Sequence, residues 1–191
     1  MKTKETTLKE EITIVPGINC KFDNFNISLE KGSDKISRKI NNKLKVEIDG
    51  NKIIITANKN SKREKKILGS ESAHIKNIIS GLNEKFKYKL LAANVHFPMN
   101  LAFDKEKNEL VVKNFLGEKK DRRIKILDGV SVKITKELIE LESCDIEKAG
   151  QSAANIEKGT KVRKRDRRIF QDGIYITEKP GKVFLWLKEN S

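Results

Sequence analysis

Residues 161–170 read Lys161-Val162-Arg163-Lys164-Arg165-Asp166-Arg167-Arg168-Ile169-Phe170, which sets six cations against one anion. Like charges packed this closely repel one another and disfavour an ordered loop unless a polyanion neutralises them. Phosphate oxygens do so well, because the planar guanidinium fork matches them in bidentate geometry. The stretch is either a solvated charged loop or, as its charge density favours, a grip for a phosphate backbone. Phe170 and Tyr175 flank the turn-forming pair Asp172-Gly173; each either stacks on a base or anchors the core. Gly173 is expected at positive φ in a turn that aims the basic segment. A second cluster, Lys119-Lys120-Asp121-Arg122-Arg123, follows Asn114-Phe115-Leu116-Gly117 and is either an exposed hairpin tip or a further contact. A third, Lys62-Arg63-Glu64-Lys65-Lys66, opens a helix and serves as a solvent face or a contact.

The residues that could make or break bonds form no such constellation. His74 falls beside the apolar stripe of a helix and His96 in an expected strand, neither with Cys, Asp or Glu at metal-ligand spacing. No phosphate-binding glycine loop of the nucleotide-hydrolase or dinucleotide type occurs. Cys20 and Cys144 are the only cysteines and form no C-x-x-C pair. They are either a disulfide or two free thiols in a reducing compartment, and free thiols are the commoner arrangement. The sequence points to no enzyme, no cofactor and no metal.

The whole chain shares the bias of its loop. Lys and Arg number 41 against 27 Asp and Glu, for a net charge of +14 and a pI near 9.7. A polyanionic partner is implied; nucleic acid, an acidic membrane or a sulfated polymer would each satisfy charge alone. The amino-terminal Met1-Lys2-Thr3-Lys4-Glu5 lacks a signal-peptide core, and no apolar run is long enough to span a bilayer. The expectation is a soluble, cytoplasmic protein.

The elements that carry these clusters follow one pattern written twice. Ile12 to Phe25 reads as short strands around Pro16-Gly17, followed by Ile27 and Leu29 in alternation. Leu44, Val46 and Ile48, then Asp49-Gly50-Asn51, then Ile53 to Thr56 form a hairpin signal. Ile75, Ile78, Ile79 and Leu82 mark one helix face, with Gly81 as its terminator, and Lys85 to Leu90 alternates as a strand. The order then repeats. Strands at Val95 to Phe103 and Leu110 to Leu116 precede a hairpin through Val130, Val132 and Ile134, then Leu138, Ile139 and Leu141. Ile146, Ala149, Ala153 and Ile156 form the second helical stripe, opened by Asp145 and closed by Gly159.

An α+β duplicated domain is expected, each tandem copy a small antiparallel β-sheet covered by one helix. The copies span 8–90 and 91–179, and an extension follows at 180–191. The copies differ most after the helix: four residues separate Gly81 from Phe86, but fourteen separate Gly159 from Ile174. A folding role cannot explain that insertion, because the first copy manages without it. In the extension, Val183-Phe184-Leu185-Trp186-Leu187 follows Pro180-Gly181, which reads as a break that frees the chain. The run is expected to dock on its own second domain or on a neighbouring protein.

Asn77-Ile78-Ile79-Ser80-Gly81 through Phe86-Lys87-Tyr88-Lys89 to His96-Phe97-Pro98 resembles the universal large-subunit ribosomal protein six family, in its archaeal and eukaryotic type. Asn114-Phe115-Leu116-Gly117-Glu118-Lys119 and Arg167-Arg168-Ile169-Phe170-Gln171-Asp172-Gly173-Ile174-Tyr175 carry the same likeness, which extends over roughly 8–179. The resemblance implies two similar α/β domains joined end to end. It further implies binding to large-subunit ribosomal RNA, mainly through the second domain, near the sarcin-ricin loop and the factor-binding region. On this chain the contacts would come from Lys161, Arg163, Lys164, Arg165, Arg167 and Arg168, with Asp172, Gly173 and Tyr175. Lys119, Lys120, Arg122 and Arg123 would add to them. Neighbouring large-subunit proteins would be the other partners, with no membrane and no homo-oligomer. The first copy has Gly32-Ser33-Asp34-Lys35 where the family commonly has a Gly-Pro-basic-Gly turn. The competing function is a free nucleic-acid-binding or regulatory protein.

Overall fold

A computed structural model describes residues 8–166 and 168–184. They divide into two units, one ending at Lys85 and the other beginning at Phe86. The first unit contains β1 (Lys9–Thr13), β2 (Asn19–Asp23), β3 (Asn26–Lys31), β4 (Asp34–Lys39), β5 (Leu44–Asp49), β6 (Lys52–Ala57) and α1 (Lys62–Asn83). Its strands form two antiparallel sheets, ordered β1-β6-β5 and β2-β3-β4. The β5–β6 hairpin turns at Gly50-Asn51 as its sequence demands, with Gly50 at φ +53°. Ser61 caps α1 by accepting the Glu64 N–H, and Leu68, Ile75, Ile78, Ile79 and Leu82 bury one face of the helix. Gly81 does not end this helix. It is buried within it, and the chain leaves only after Asn83, where Glu84 turns extended while its N–H still bonds Ser80.

The second unit contains β7 (Phe86–Ala93), β8 (Asn100–Asp104), β9 (Glu109–Lys113), a 3-10 turn (Phe115–Gly117), β10 (Arg122–Lys125), β11 (Ser131–Thr135), β12 (Leu138–Ser143), α2 (Ile146–Gly159), β13 (Gly173–Lys179) and β14 (Lys182–Val183). Its sheets run β10-β9-β8 and β11-β12-β7-β13-β14. Antiparallel β7–β12 and β12–β11 pairs echo β1–β6 and β6–β5, so the duplication is visible in the hydrogen-bond ladder. Asp145 caps α2 through the Glu147 N–H, and Ala149, Ala153 and Ile156 face a core shared with Leu90, Leu110, Phe115 and Ile139. Small residues allow the close approach: a side chain on Gly159 would fall 2.6 Å from Ile124 Cγ1.

Three expectations shift here. The division anticipated near residue 90 lies at 85/86, because β7 is hydrogen-bonded on both edges within the second sheet and sends Tyr88, Leu90 and Ala92 into the α2 core. Residues 94–99 form a loop, not the start of a strand; Asn94 Oδ1 accepts the Met99 N–H across it, and Pro98 cannot donate to a ladder. Pro180-Gly181 does not free the chain. Gly181, at φ +75°, turns it back so that β14 pairs with β13, and the Phe184 N–H bonds the Thr177 carbonyl. The rest of the apolar run, Leu185-Trp186-Leu187, lies outside the described residues.

Candidate nucleic-acid interface

The basic segment leaves the end of α2 and returns as β13, and internal bonds hold it at both ends. Val162 is buried beneath it. Thr160, fully buried, donates to the Ile156 carbonyl and accepts the Ile174 N–H, fastening the helix end to the first strand turns of β13. Within the segment, the Asp166 carboxylate accepts the Arg168 N–H and its carbonyl accepts the Phe170 N–H. Lys164 sits at φ +59°, an uncommon left-handed position for a residue with a side chain. The one acidic residue thus organises the backbone of its own loop. Arg163, Lys164 and Arg168 are exposed and make no side-chain ion pair among the described residues. Arg165 lies over the Phe170 ring, 4.8 Å from its centroid. Arg167 lies outside the described residues.

Two further loops meet this one. Asp172 is 1% exposed. Its Oδ1 accepts the N–H groups of Val95 and His96 at 3.0 and 2.9 Å, and its Oδ2 accepts His96 Nδ1–H at 2.6 Å. Burial alone would push this carboxyl up, but the His96 N–H, the His96 ring and the Val95 N–H together hold it below its ordinary value. The His96 ring stacks on Phe170 at 4.7 Å, so loop 94–99 is pinned to the basic loop by a carboxylate and a ring pair. Asn114 Nδ2 donates to the Pro98 carbonyl and brings in the turn 114–118. That turn is strained: Asn114, Leu116 and Gly117 have φ of 58°, 50° and 76°. Buried Phe115 and Leu116 fasten it, and Lys119 and Lys120 then project as an exposed tip.

Arg122 joins the 114–118 turn to the start of the basic loop. It forms a two-point pair with Glu118, donates to the carbonyls of Gly159 and Lys161, and covers the Phe115 ring at 3.8 Å. The bonded Arg122 guanidinium holds the Glu118 carboxyl below its usual range against the opposing effect of burial, and Arg165 adds to the lowering. All three guanidinium nitrogens of Arg122 are bonded internally and one face lies on Phe115, so it is a clamp. Arg123, next along β10 and on the opposite face, approaches Asp104 at 3.9 Å and Glu109 at 3.6 Å.

The residues singled out in sequence therefore separate into two groups. Lys119, Lys120, Lys161, Arg163, Lys164, Arg165 and Arg168 are exposed, on the basic loop and just after the 114–118 turn. Asp172 and Gly173 are buried beneath them, and Arg122 is occupied. Gly173 is not at positive φ. It opens β13 opposite Ala93, and it must be small for a different reason: a Cβ there would lie 3.0 Å from the Tyr175 ring, whose hydroxyl donates to the Gln171 carbonyl. Phe170 acts as an internal platform between His96 and Arg165. Sequence reasoning missed His96, Asn114 and Glu118, because their partners lie on other loops and no local spacing marks them. Among the described residues no group of acidic, His or Cys side chains could hold a metal, and no helix is long and apolar enough to cross a membrane.

Comparison with known proteins meets this geometry directly. The family described as ribosomal protein L6 matches residues 97–173, a span that begins in loop 94–99 and ends at the foot of the basic loop. The large ribosomal subunit protein uL6 of Methanococcus vannielii is 37% identical over 177 residues, covering 92% of this chain and 96% of its own. The chain belongs to the ribosomal protein L6 family. The uL6 of Desulfurococcus amylolyticus is 36% identical over 89% of this chain and 94% of its own, and that of Archaeoglobus fulgidus 40% identical over 71% and 68%. The L6 proteins are structural and not enzymes, and the archaeal and eukaryotic type expected from the sequence is the type these relatives represent. The α+β architecture, with small antiparallel sheets and two helices, agrees with the duplicated L6 domain.

Proposed function

We propose that this chain is a structural constituent of the large ribosomal subunit in the cytoplasm. It holds large-subunit ribosomal RNA through the three linked loops of its second unit, near the sarcin-ricin loop and the factor-binding region. Neighbouring large-subunit proteins are its other partners, and no membrane or second copy takes part. The observation that carries the reading is the insertion 161–168. Its described cations are exposed on a loop held by hydrogen bonds at both ends, which lowers the ordering cost when phosphates arrive. Lys119 and Lys120 add exposed cations next to the 114–118 turn, which Asn114 bonds to loop 94–99.

The names of the relatives and the match across the loops support the ribosomal assignment; the charge supports a phosphate backbone. Sedimentation of a cell extract tests the first half. The protein should travel with large subunits and leave them in high salt. Recovery in a free pool, away from subunits, would overturn the assignment in favour of a free nucleic-acid-binding protein.

A further inference from the structure

The linked loops expose apolar as well as basic side chains. Val95 is 58% exposed, Phe97 45% and Ile169 62%. They sit on two segments that the structure ties together. Val95 and Phe97 flank His96, whose ring stacks on Phe170, and Ile169 precedes Phe170 in the chain. Phe97 is also placed from the other side: a Cβ on Gly117 would lie 3.9 Å from its ring, so the ring rests beside the strained turn that carries Lys119 and Lys120. Core packing does not account for the exposed part of this patch. Phosphate binding does not account for it either, since these side chains carry no charge.

We propose that Phe97, supported by Ile169, is a stacking platform for an unpaired base of the RNA held by the surrounding cations. The inference rests on the ribosomal RNA reading and specifies how that RNA is recognised. Three observations favour a base over an apolar protein partner. Exposed Lys119 and Lys120 follow the Gly117 turn beside Phe97, and exposed Arg168 precedes Ile169, so cations adjoin the patch and make its field attractive to a polyanion. The backbone of loop 94–99 is fixed by the Asp172 carboxylate, so the ring is presented on a preformed mount. A base offers a flat π-face to an aromatic ring while its phosphates reach neighbouring cations, which is how single-stranded nucleic acid is commonly held.

The test is binding of the full-length chain to its own large-subunit ribosomal RNA, transcribed in vitro, across a salt series. Phe97→Ala should weaken binding by roughly 5- to 150-fold, the range for loss of one base–aromatic stack. The log–log salt slope should stay unchanged, because no phosphate contact is lost. Phe97→Trp should restore affinity and Phe97→Leu should not. Ile169→Ala should weaken binding more modestly, again with the slope preserved. Wild-type affinity in Phe97→Ala would overturn the inference alone, including the case where only subunit incorporation falls and the patch meets a protein. Full rescue by Phe97→Leu would also overturn it, since a greasy contact would then suffice. A wild-type chain with no salt-dependent affinity would remove the ribosomal RNA reading and this inference together.

Discussion

Replacement of Asp172 by Ala isolates the bond set that fastens loop 94–99 to the basic loop. The carboxylate accepts three hydrogen bonds in a 1% exposed position, two of them from backbone N–H groups. Each donor stranded in a buried site costs about 1–3 kcal/mol. The loop is only partly covered, so water recovers some of that loss, and about 2–4 kcal/mol of destabilisation is expected. On a unit of this size that corresponds to a melting temperature lower by roughly 10–20 °C. Asp172→Asn keeps Oδ1 as an acceptor for both backbone N–H groups but replaces Oδ2 with an NH2 that cannot accept the His96 ring N–H, so its cost should be about 1–2 kcal/mol. Thermal unfolding followed by circular dichroism gives the stability, and amide exchange at Val95 and His96 locates it. Both amides should lose protection in the Ala variant and retain most of it in the Asn variant. The pH dependence has a definite sign. The carboxyl is lower in the folded state than unfolded, so its stabilisation is complete above the unfolded carboxylate value and is lost as pH falls through the folded one. Asp172→Asn should remove that acid-sensitive portion. An Ala variant that melts like wild type, with both amides still protected, would refute the reasoning.

Other outcomes follow from the same geometry. Arg122→Ala uncovers Phe115 and strips donors from the Gly159 and Lys161 carbonyls, so it should cost about 1–3 kcal/mol in denaturant unfolding. It should perturb RNA affinity with little change in salt slope, unlike removal of an exposed cation. Gly173→Ala should destabilise by about 1–2 kcal/mol through crowding of the Tyr175 ring. The cost should shrink in a Tyr175→Ala background, and an unchanged cost in that double-mutant cycle would show that the ring is not the obstacle. Lys119→Ala with Lys120→Ala should leave the melting temperature unchanged and lower the salt slope by about 2 units on the duplex coefficient.

Periodic and local signals were readable from the residues. The Asp49-Gly50-Asn51 hairpin, the stripe Ile75-Ile78-Ile79-Leu82 and the Asp145 cap each depend on neighbours within a few positions, and each appears as expected. The duplication was legible because both copies repeat those local signals in one order. Gly81 misled because glycine ends helices only where the chain must turn left-handed; here Leu82 continues the buried stripe and keeps the helix intact. Gly173 misled in a related way, since its small size serves a ring two residues along and not a turn. The candidate site was half legible. Charge density marked the basic loop, but Asp172 and His96 lie 76 residues apart, and nothing in their spacing announces a bond. Arg122 illustrates the limit of composition: it belongs to a basic cluster in sequence, yet in the fold it holds Glu118 and two carbonyls.

The central claim is that the exposed cations of the basic loop bind ribosomal RNA phosphates. Its most direct test is the salt dependence of binding for the variant in which Arg163, Lys164, Arg165 and Arg168 are all Ala. These side chains are exposed and none is required by the core, so the fold should persist. If each neutralises one phosphate, the log–log slope for binding to large-subunit ribosomal RNA should fall by roughly 3 to 4 units on the duplex coefficient. A properly folded variant with the wild-type slope would contradict the account.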